Sequence, residues 1–184
     1  MNSRSLSKTA AVFLFLMLAS FQLFAESLPK GYRNIRLGMT VDEVKEALQK
    51  DPQFGYRGDR DVSLLPGENR MLIETDTSRT SPWSFLDKCF FQFYEDRLYI
   101  ITVNVKRTKM DHHSIFSTLC GKYGDPASLN PEKSVWQDSS VVMSLERPLT
   151  LKYTDKAISD KLKEQRMVLE SAEEMSRESF LEGL

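Results

Sequence analysis

Two β-rich runs in the middle of the chain set the terms for everything around them. Cys89-Phe90-Phe91-Gln92-Phe93-Tyr94 leads through Glu95-Asp96-Arg97 into Leu98-Tyr99-Ile100-Ile101-Thr102-Val103-Asn104-Val105. Aromatic and β-branched side chains dominate both runs, and these fit a pleated, half-buried surface. Two such runs joined by a short polar connection read as a hairpin, here at the centre of a sheet. Alternation puts Cys89, Phe91 and Phe93 on one face of the first strand, and Tyr99, Ile101, Val103 and Val105 on one face of the second. Gln92, Thr102 and Asn104 then fall on an opposite face that is partly wet, as antiparallel sheets permit. They are candidate partner-contact residues.

The stretch Ile35-Arg36-Leu37-Gly38-Met39-Thr40-Val41-Asp42-Glu43-Val44 specifies a helix start. Thr40 is a good N-cap, and Glu43 three residues later completes a capping box. Met39 is placed to staple onto Val44. Val41, Val44 and Leu48 follow at helical spacing and form the buried face. A second helix is expected over His112–Tyr123, capped by Asp111, with Ile115, Phe116, Leu119, Cys120 and Tyr123 on its apolar face and Gly124-Asp125-Pro126 ending it.

Further strands are expected at Asp61–Leu65, at Arg70–Asp76 beyond the Pro66-Gly67-Glu68-Asn69 turn, and at Val135–Gln137, Val141–Glu146 and Leu149–Tyr153. Leu28–Asn34 reads as a leader into the first helix. The fold class is therefore α+β: short helices on an antiparallel β-meander, in the order helix, four strands, helix, three strands. Residues 26–154 form this domain, with two loosely similar halves at 32–107 and 111–154. From 155 to 184 there is no proline, glycine occurs only at Gly183, and charge is dense. This predicts one long charged helix, solvated on most sides, with Met167, Met175, Phe180 and Leu181 as candidate partner contacts.

Residues 1–25 have the layout of a secretory signal peptide. Arg4 and Lys8 precede the apolar run Ala10–Ala19, which is too short for a good transmembrane span. Cleavage is expected after Ala25, and no cysteine follows the run for lipid attachment. Taking Arg4 and Lys8 from the 25 Lys and Arg, against 26 Asp and Glu, leaves a mature net charge of −3. That is no basic footprint, so nucleic acid is not an expected partner. No transmembrane segment is expected after signal removal, and the compartment is periplasmic or extracellular. Cys89 and Cys120 would both reach an oxidising environment. A disulfide between them would close a loop of about thirty residues, a contribution of about 3–4 kcal/mol in the chain-entropy model. The alternative is two separate buried thiols.

Reaction chemistry is not visible in the sequence. His112 and His113 are adjacent, so on a helix they point about 100° apart and do not converge on one metal. No G-x-S-x-G elbow, H-E-x-x-H pair, P-loop or dinucleotide fingerprint is present. Arg57-Gly58-Asp59 matches an adhesion tripeptide, a signal too short to weigh heavily. No catalytic, metal or cofactor-binding residue is assigned, and no cofactor is expected.

Tyr32-x-x-Ile35-x-Leu37-Gly38-Met39-Thr40-x-x-Glu43-Val44 resembles the opening of BamE-like (SmpA/OmlA) outer-membrane assembly proteins and of β-lactamase inhibitor proteins. Those families pack a G-M-T-x-x-x-V helix on an antiparallel sheet. Leu119-x-x-Lys122-Tyr123-Gly124-Asp125-Pro126, followed by Trp136, is similar to the same unit repeated. The resemblance implies an envelope protein that binds another protein and does no catalysis. The expected function is thus an exported, non-catalytic protein-binding or envelope-assembly module. A secreted enzyme inhibitor and a small hydrolase with a site scattered over loops are the alternatives.

Overall fold

A computed structural model describes residues 27–67, 69–78 and 82–183. The expected signal peptide lies outside the described residues. The chain opens with a short hairpin, β1 (Gly31–Tyr32) and β2 (Ile35–Arg36), where a plain leader is expected. The hairpin is closed by Arg33 at φ +56° and tied at its base by Leu37 N–H donating to Lys30 O at 2.7 Å. Two-residue strands give no periodicity to read.

Helix α1 (Val41–Lys50) follows, with the expected capping box in place. Thr40 Oγ1 accepts from Glu43 N–H at 3.3 Å, and Glu43 Oε2 accepts from Thr40 N–H at 2.8 Å. Val41, Val44 and Leu48 are buried against the sheet. Met39 is partly buried against the same core, and its sulfur accepts from Arg36 N–H at 3.2 Å. Two 3₁₀ turns, Pro52–Phe54 and Gly58–Asp61, lead into the first meander.

That meander is β3 (Val62–Leu64), β4 (Arg70–Asp76), β5 (Leu86–Tyr94) and β6 (Arg97–Val105). Helix α2 (His112–Tyr123) is capped by Asp111, which accepts from Ser114 N–H at 2.8 Å. The second meander is β7 (Ser128–Leu129), β8 (Lys133–Gln137), β9 (Val141–Glu146) and β10 (Thr150–Asp155). It holds four strands rather than the expected three, because β7 is only two residues long. The eight strands form one sheet in the order β3-β4-β5-β6-β10-β9-β8-β7. Each helix is thus followed by a four-stranded meander, and the last strands of the two meanders pair antiparallel, Val103 opposite Leu151 and Ile101 opposite Tyr153.

One face of this sheet, with both helices against it, forms the core: Ile73, Phe91, Phe93, Ile101, Val103, Met143 and Leu145 are all fully buried. Tyr99 departs from the expected face. The register slips between Gln92 and Phe93, so Leu98 sits opposite Phe93 while Ile100 sits opposite Gln92. Tyr99 is the extra residue of a β-bulge and turns to the other side. There its hydroxyl lies 3.4 Å from Gln92 Oε1. The cause is non-local: Leu98 donates its N–H to Met39 O at 2.8 Å and accepts at its carbonyl from Gly38 N–H at 2.7 Å. The entry to α1 is thereby stitched to the start of β6.

Helix α3 (Lys156–Glu182) begins directly after β10, with Asp155 accepting from Ile158 N–H at 3.0 Å. Its first turns rest on the sheet, and from Lys163 onward its described residues are exposed.

Candidate functional site

The main concavity is a cleft of about 650 Å³ between the β1–β2 hairpin and α2. Its floor is Leu151 and Tyr153 of β10. One wall is Pro29, Tyr32 and Arg36; the other is Ile115, Leu119 and Lys122 of α2. Each wall is fixed by packing. Tyr32 meets Phe54 edge-on at 6.2 Å between ring centroids, and Phe54 meets Phe91 at 5.9 Å, so the hairpin is anchored through two aromatic rings to the central strand. Arg33, which also lines the cleft, is held by Asp51 at 2.7 Å and Gln53 at 2.6 Å.

No acidic side chain lines the cleft. Arg36 and Lys122 stand at it, and neither makes an ion pair among the described residues. Burial pushes the Tyr153 phenol well above its ordinary range, with Tyr123 and Tyr32 adding to the effect, so the floor is uncharged. An apolar floor beside two free cations, in a cleft of a few hundred Å³, is the usual layout of a binding site. It suits an apolar group carried next to a carboxylate or other anion.

A second concavity, about 390 Å³, sits at the start of α2 and gathers His112, His113, Lys133 and Arg147. Burial and the nearby Arg147 charge lower the pKa of His112. His113 Nε2 lies 3.4 Å from Ser117 Oγ. No cluster of three or more His, Cys, Asp or Glu side chains able to hold a metal occurs among the described residues.

The expected contact residues do not come together at the main cleft. Gln92, Thr102 and Asn104 lie half-buried on the outer face of the sheet; Gln92 meets Tyr99, and Asn104 Oδ1 accepts from Thr150 Oγ1 at 2.8 Å. Met167, Met175, Phe180 and Leu181 are all exposed on α3. Cys89 and Cys120 are free thiols, so the structure has the separate pair and not the disulfide. Cys89 is fully buried on β5, where burial raises its pKa to about 12. The Arg57-Gly58-Asp59 tripeptide lies at the surface, with the Asp59 side chain exposed and bridged to Lys45 at 3.0 Å. Arg57 bends onto the buried Asp61 carboxylate, with Nε at 3.0 Å and Nη2 at 2.8 Å.

The cleft residues themselves escape a reading of the sequence. Tyr32 and Tyr153 lie at opposite ends of the domain, and it takes the Tyr32–Phe54–Phe91 packing together with the β6–β10 pairing to bring them to one cleft. The usable signal was the α2 apolar face, in which Ile115 and Leu119 belong to both core and cleft.

Fold and cleft together define an α+β sheet domain with an amphipathic cleft between a short hairpin and a helix. The chain belongs to the TP0088 domain family, whose model matches residues 30–165. That span contains the hairpin, both packed helices, the whole sheet and the docked turns of α3, and it stops where α3 leaves the sheet. No curated protein and no solved structure gives a match.

Proposed function

We propose that the protein is an exported, non-catalytic binding module of the cell envelope, and that it takes a short segment of a partner protein in the cleft between the β1–β2 hairpin and α2. The observation that supports this reading most directly is the pairing of an apolar floor, Leu151 and Tyr153, with Arg36 and Lys122, which make no ion pair among the described residues, at the same cleft. One large apolar side chain fills the floor, and an adjacent acidic group or C-terminal carboxylate meets the two cations. The resemblance of Tyr32–Val44 to envelope assembly proteins, and the expected signal peptide, agree with this placement. A mature net charge of −3 does not favour nucleic acid as the partner.

Selection of displayed peptides on the mature protein tests the reading. Enriched sequences are expected to carry a large apolar residue beside an acidic group. Their affinity falls at least tenfold in the Arg36→Glu/Lys122→Glu double variant and is unchanged in Met175→Lys. Peptides that ignore the double variant, or no enrichment at all, would refute it. Cell fractionation with N-terminal sequencing checks export; the expected mature chain begins at Glu26, and a cytoplasmic protein with Met1 intact would remove the envelope from the proposal.

A further inference from the structure

Ser134 is a polar residue at an apolar position of the sheet. On β8 it shares a face with Trp136, two residues on, and Trp136 meets Phe116 of α2 at 6.1 Å between ring centroids. Its register partner on β9 is Leu145, which is fully buried. Ser134 itself is 2% exposed, and its hydroxyl has no hydrogen-bond partner among the described residues. A buried hydroxyl without a partner is costly. Ser134 lines the hollow of about 390 Å³ at the start of α2, so a ligand there can supply the missing partner.

Three parts of the chain deliver cations or imidazoles to the same hollow. His112 and His113 come from the first turn of α2, Lys133 opens β8, and Arg147 follows β9. Lys133 and Arg147 make no ion pair, and no acidic side chain lines the hollow, among the described residues. Arg147 is held in place from its base: its backbone N–H donates to Glu132 O at 2.8 Å and its Nε to Pro131 O at 2.8 Å. Both Nη groups are left as donors. Asn130 Oδ1 accepts from the Glu132 and Lys133 N–H groups at 2.9 and 2.8 Å, so its Nδ2 is likewise left as a donor. Asp111 is committed to the cap of α2, accepting from Ser114 N–H at 2.8 Å and Ser114 Oγ at 2.6 Å. The gathered charge is already felt within the hollow. Burial and the Arg147 charge hold the His112 pKa below its ordinary value, with His113 acting in the same direction and Asp111 opposing.

We propose that this hollow binds a phosphoryl group carried on a compact apolar body. Arg147 and Lys133 supply charge, Ser134 and Asn130 supply neutral donors, and Phe116 and Leu129 take the apolar body. A phosphoryl group offers three acceptor oxygens to donors arriving from several directions, whereas a carboxylate is planar and offers two. The hollow shares no lining residue with the hairpin–α2 cleft, so this site stands independently of the peptide-binding reading.

Titration calorimetry of the mature protein with phenyl phosphate tests this, with inorganic phosphate and benzoate as comparison probes. One-to-one binding of phenyl phosphate is expected, tighter than that of either comparison probe. Affinity falls at least tenfold in Ser134→Ala and in Lys133→Gln/Arg147→Gln, and is unchanged in Arg36→Glu/Lys122→Glu at the other cleft. Ser134→Ala removes an unpaired hydroxyl from an apolar face, so its Tm is expected to be no lower than that of the parent, which separates loss of ligand from loss of fold. Saturation with phenyl phosphate raises the His112 pKa followed by NMR, because an anion beside Arg147 offsets the charge that lowers it. Co-sedimentation with phosphatidylcholine vesicles containing phosphatidic acid identifies the source. Pelleting that both variants abolish assigns the phosphoryl group to a lipid headgroup; phenyl phosphate binding without pelleting assigns it to a soluble phosphate. No binding of phenyl phosphate at about 10 mM, a concentration that detects even millimolar affinity, overturns the proposal. So does binding that survives both variants, or benzoate binding as tightly as phenyl phosphate.

Discussion

Asp96, at the tip of the β5–β6 turn, accepts a hydrogen bond from the Val41 backbone N–H at 3.0 Å across 55 residues of sequence. Val41 is the first residue of α1, so its N–H has no partner inside the helix. The carboxylate also sits at the positive end of the helix dipole. Asp96 and Glu95 both have positive φ, +57° and +50°, so the turn spends backbone strain to aim this side chain. Asp96→Ala is expected to cost about 1 kcal/mol, a fall in Tm of about 2–4 °C. Asp96→Asn keeps the acceptor and tolerates the left-handed backbone, and it should lose less. Thermal denaturation followed by circular dichroism compares the two.

The buried carboxylate of Asp61 accepts from the Arg57 N–H at 2.8 Å and from two guanidinium nitrogens of the same residue. Its side chain has no exposure, while that of Arg57 is 48% exposed. Arg57→Ala strands a buried charge on a single backbone donor and is expected to cost about 2–3 kcal/mol. Urea unfolding should show part of that loss recovered in Arg57→Ala/Asp61→Ala, where no charge is left unpaired. Equal losses in the single and double variants would mean the pair is not what holds this turn.

Gly31 has no room for a side chain. A Cβ there would stand 2.1 Å from the Ile35 carbonyl oxygen, across the hairpin. Gly31→Ala therefore moves the β1–β2 backbone, costs about 2–3 kcal/mol, and displaces the Tyr32 wall of the cleft. Peptides selected on the parent protein are expected to bind this variant at least tenfold more weakly in a binding titration, with circular dichroism showing the helices intact.

Cys89 gives a pH dependence with a definite sign. Burial raises its pKa to about 12, whereas an unfolded thiol titrates near 8.5. The unfolded state thus loses its proton first, and this thiol's contribution to stability declines as pH rises from about 9 to about 12. Cys89→Ala flattens that alkaline decline, though it also leaves a cavity. At pH 8 a thiol reagent should modify Cys120, which is only partly buried, and reach Cys89 only in denaturant. Two reactive thiols in the unfolded protein and no disulfide-linked peptide on mass mapping are the matching results.

Elements whose signals are local were legible in the residues. Thr40 and Glu43 announce α1, Asp111 and Gly124 bracket α2, and the turn residues before Arg70 announce the returning strand Arg70–Asp76. Elements decided by distant partners were not. Leu98 and Tyr99 are both apolar, so alternation cannot say which faces the core, and hydrogen bonds to Gly38 and Met39 decide it. The β1–β2 hairpin and β7 are too short to carry a period, yet the hairpin is a wall of the cleft.

The amino-acid order alone determined the α+β class, the caps, most strands and the charged terminal helix, because propensity, capping and periodicity act within a few residues. The tertiary structure alone decided the β6–β10 junction, the bulge at Tyr99 and the cleft at which Arg36 and Lys122 stand. Those depend on contacts between residues far apart in the chain, whose geometry exists only once the sheet has closed.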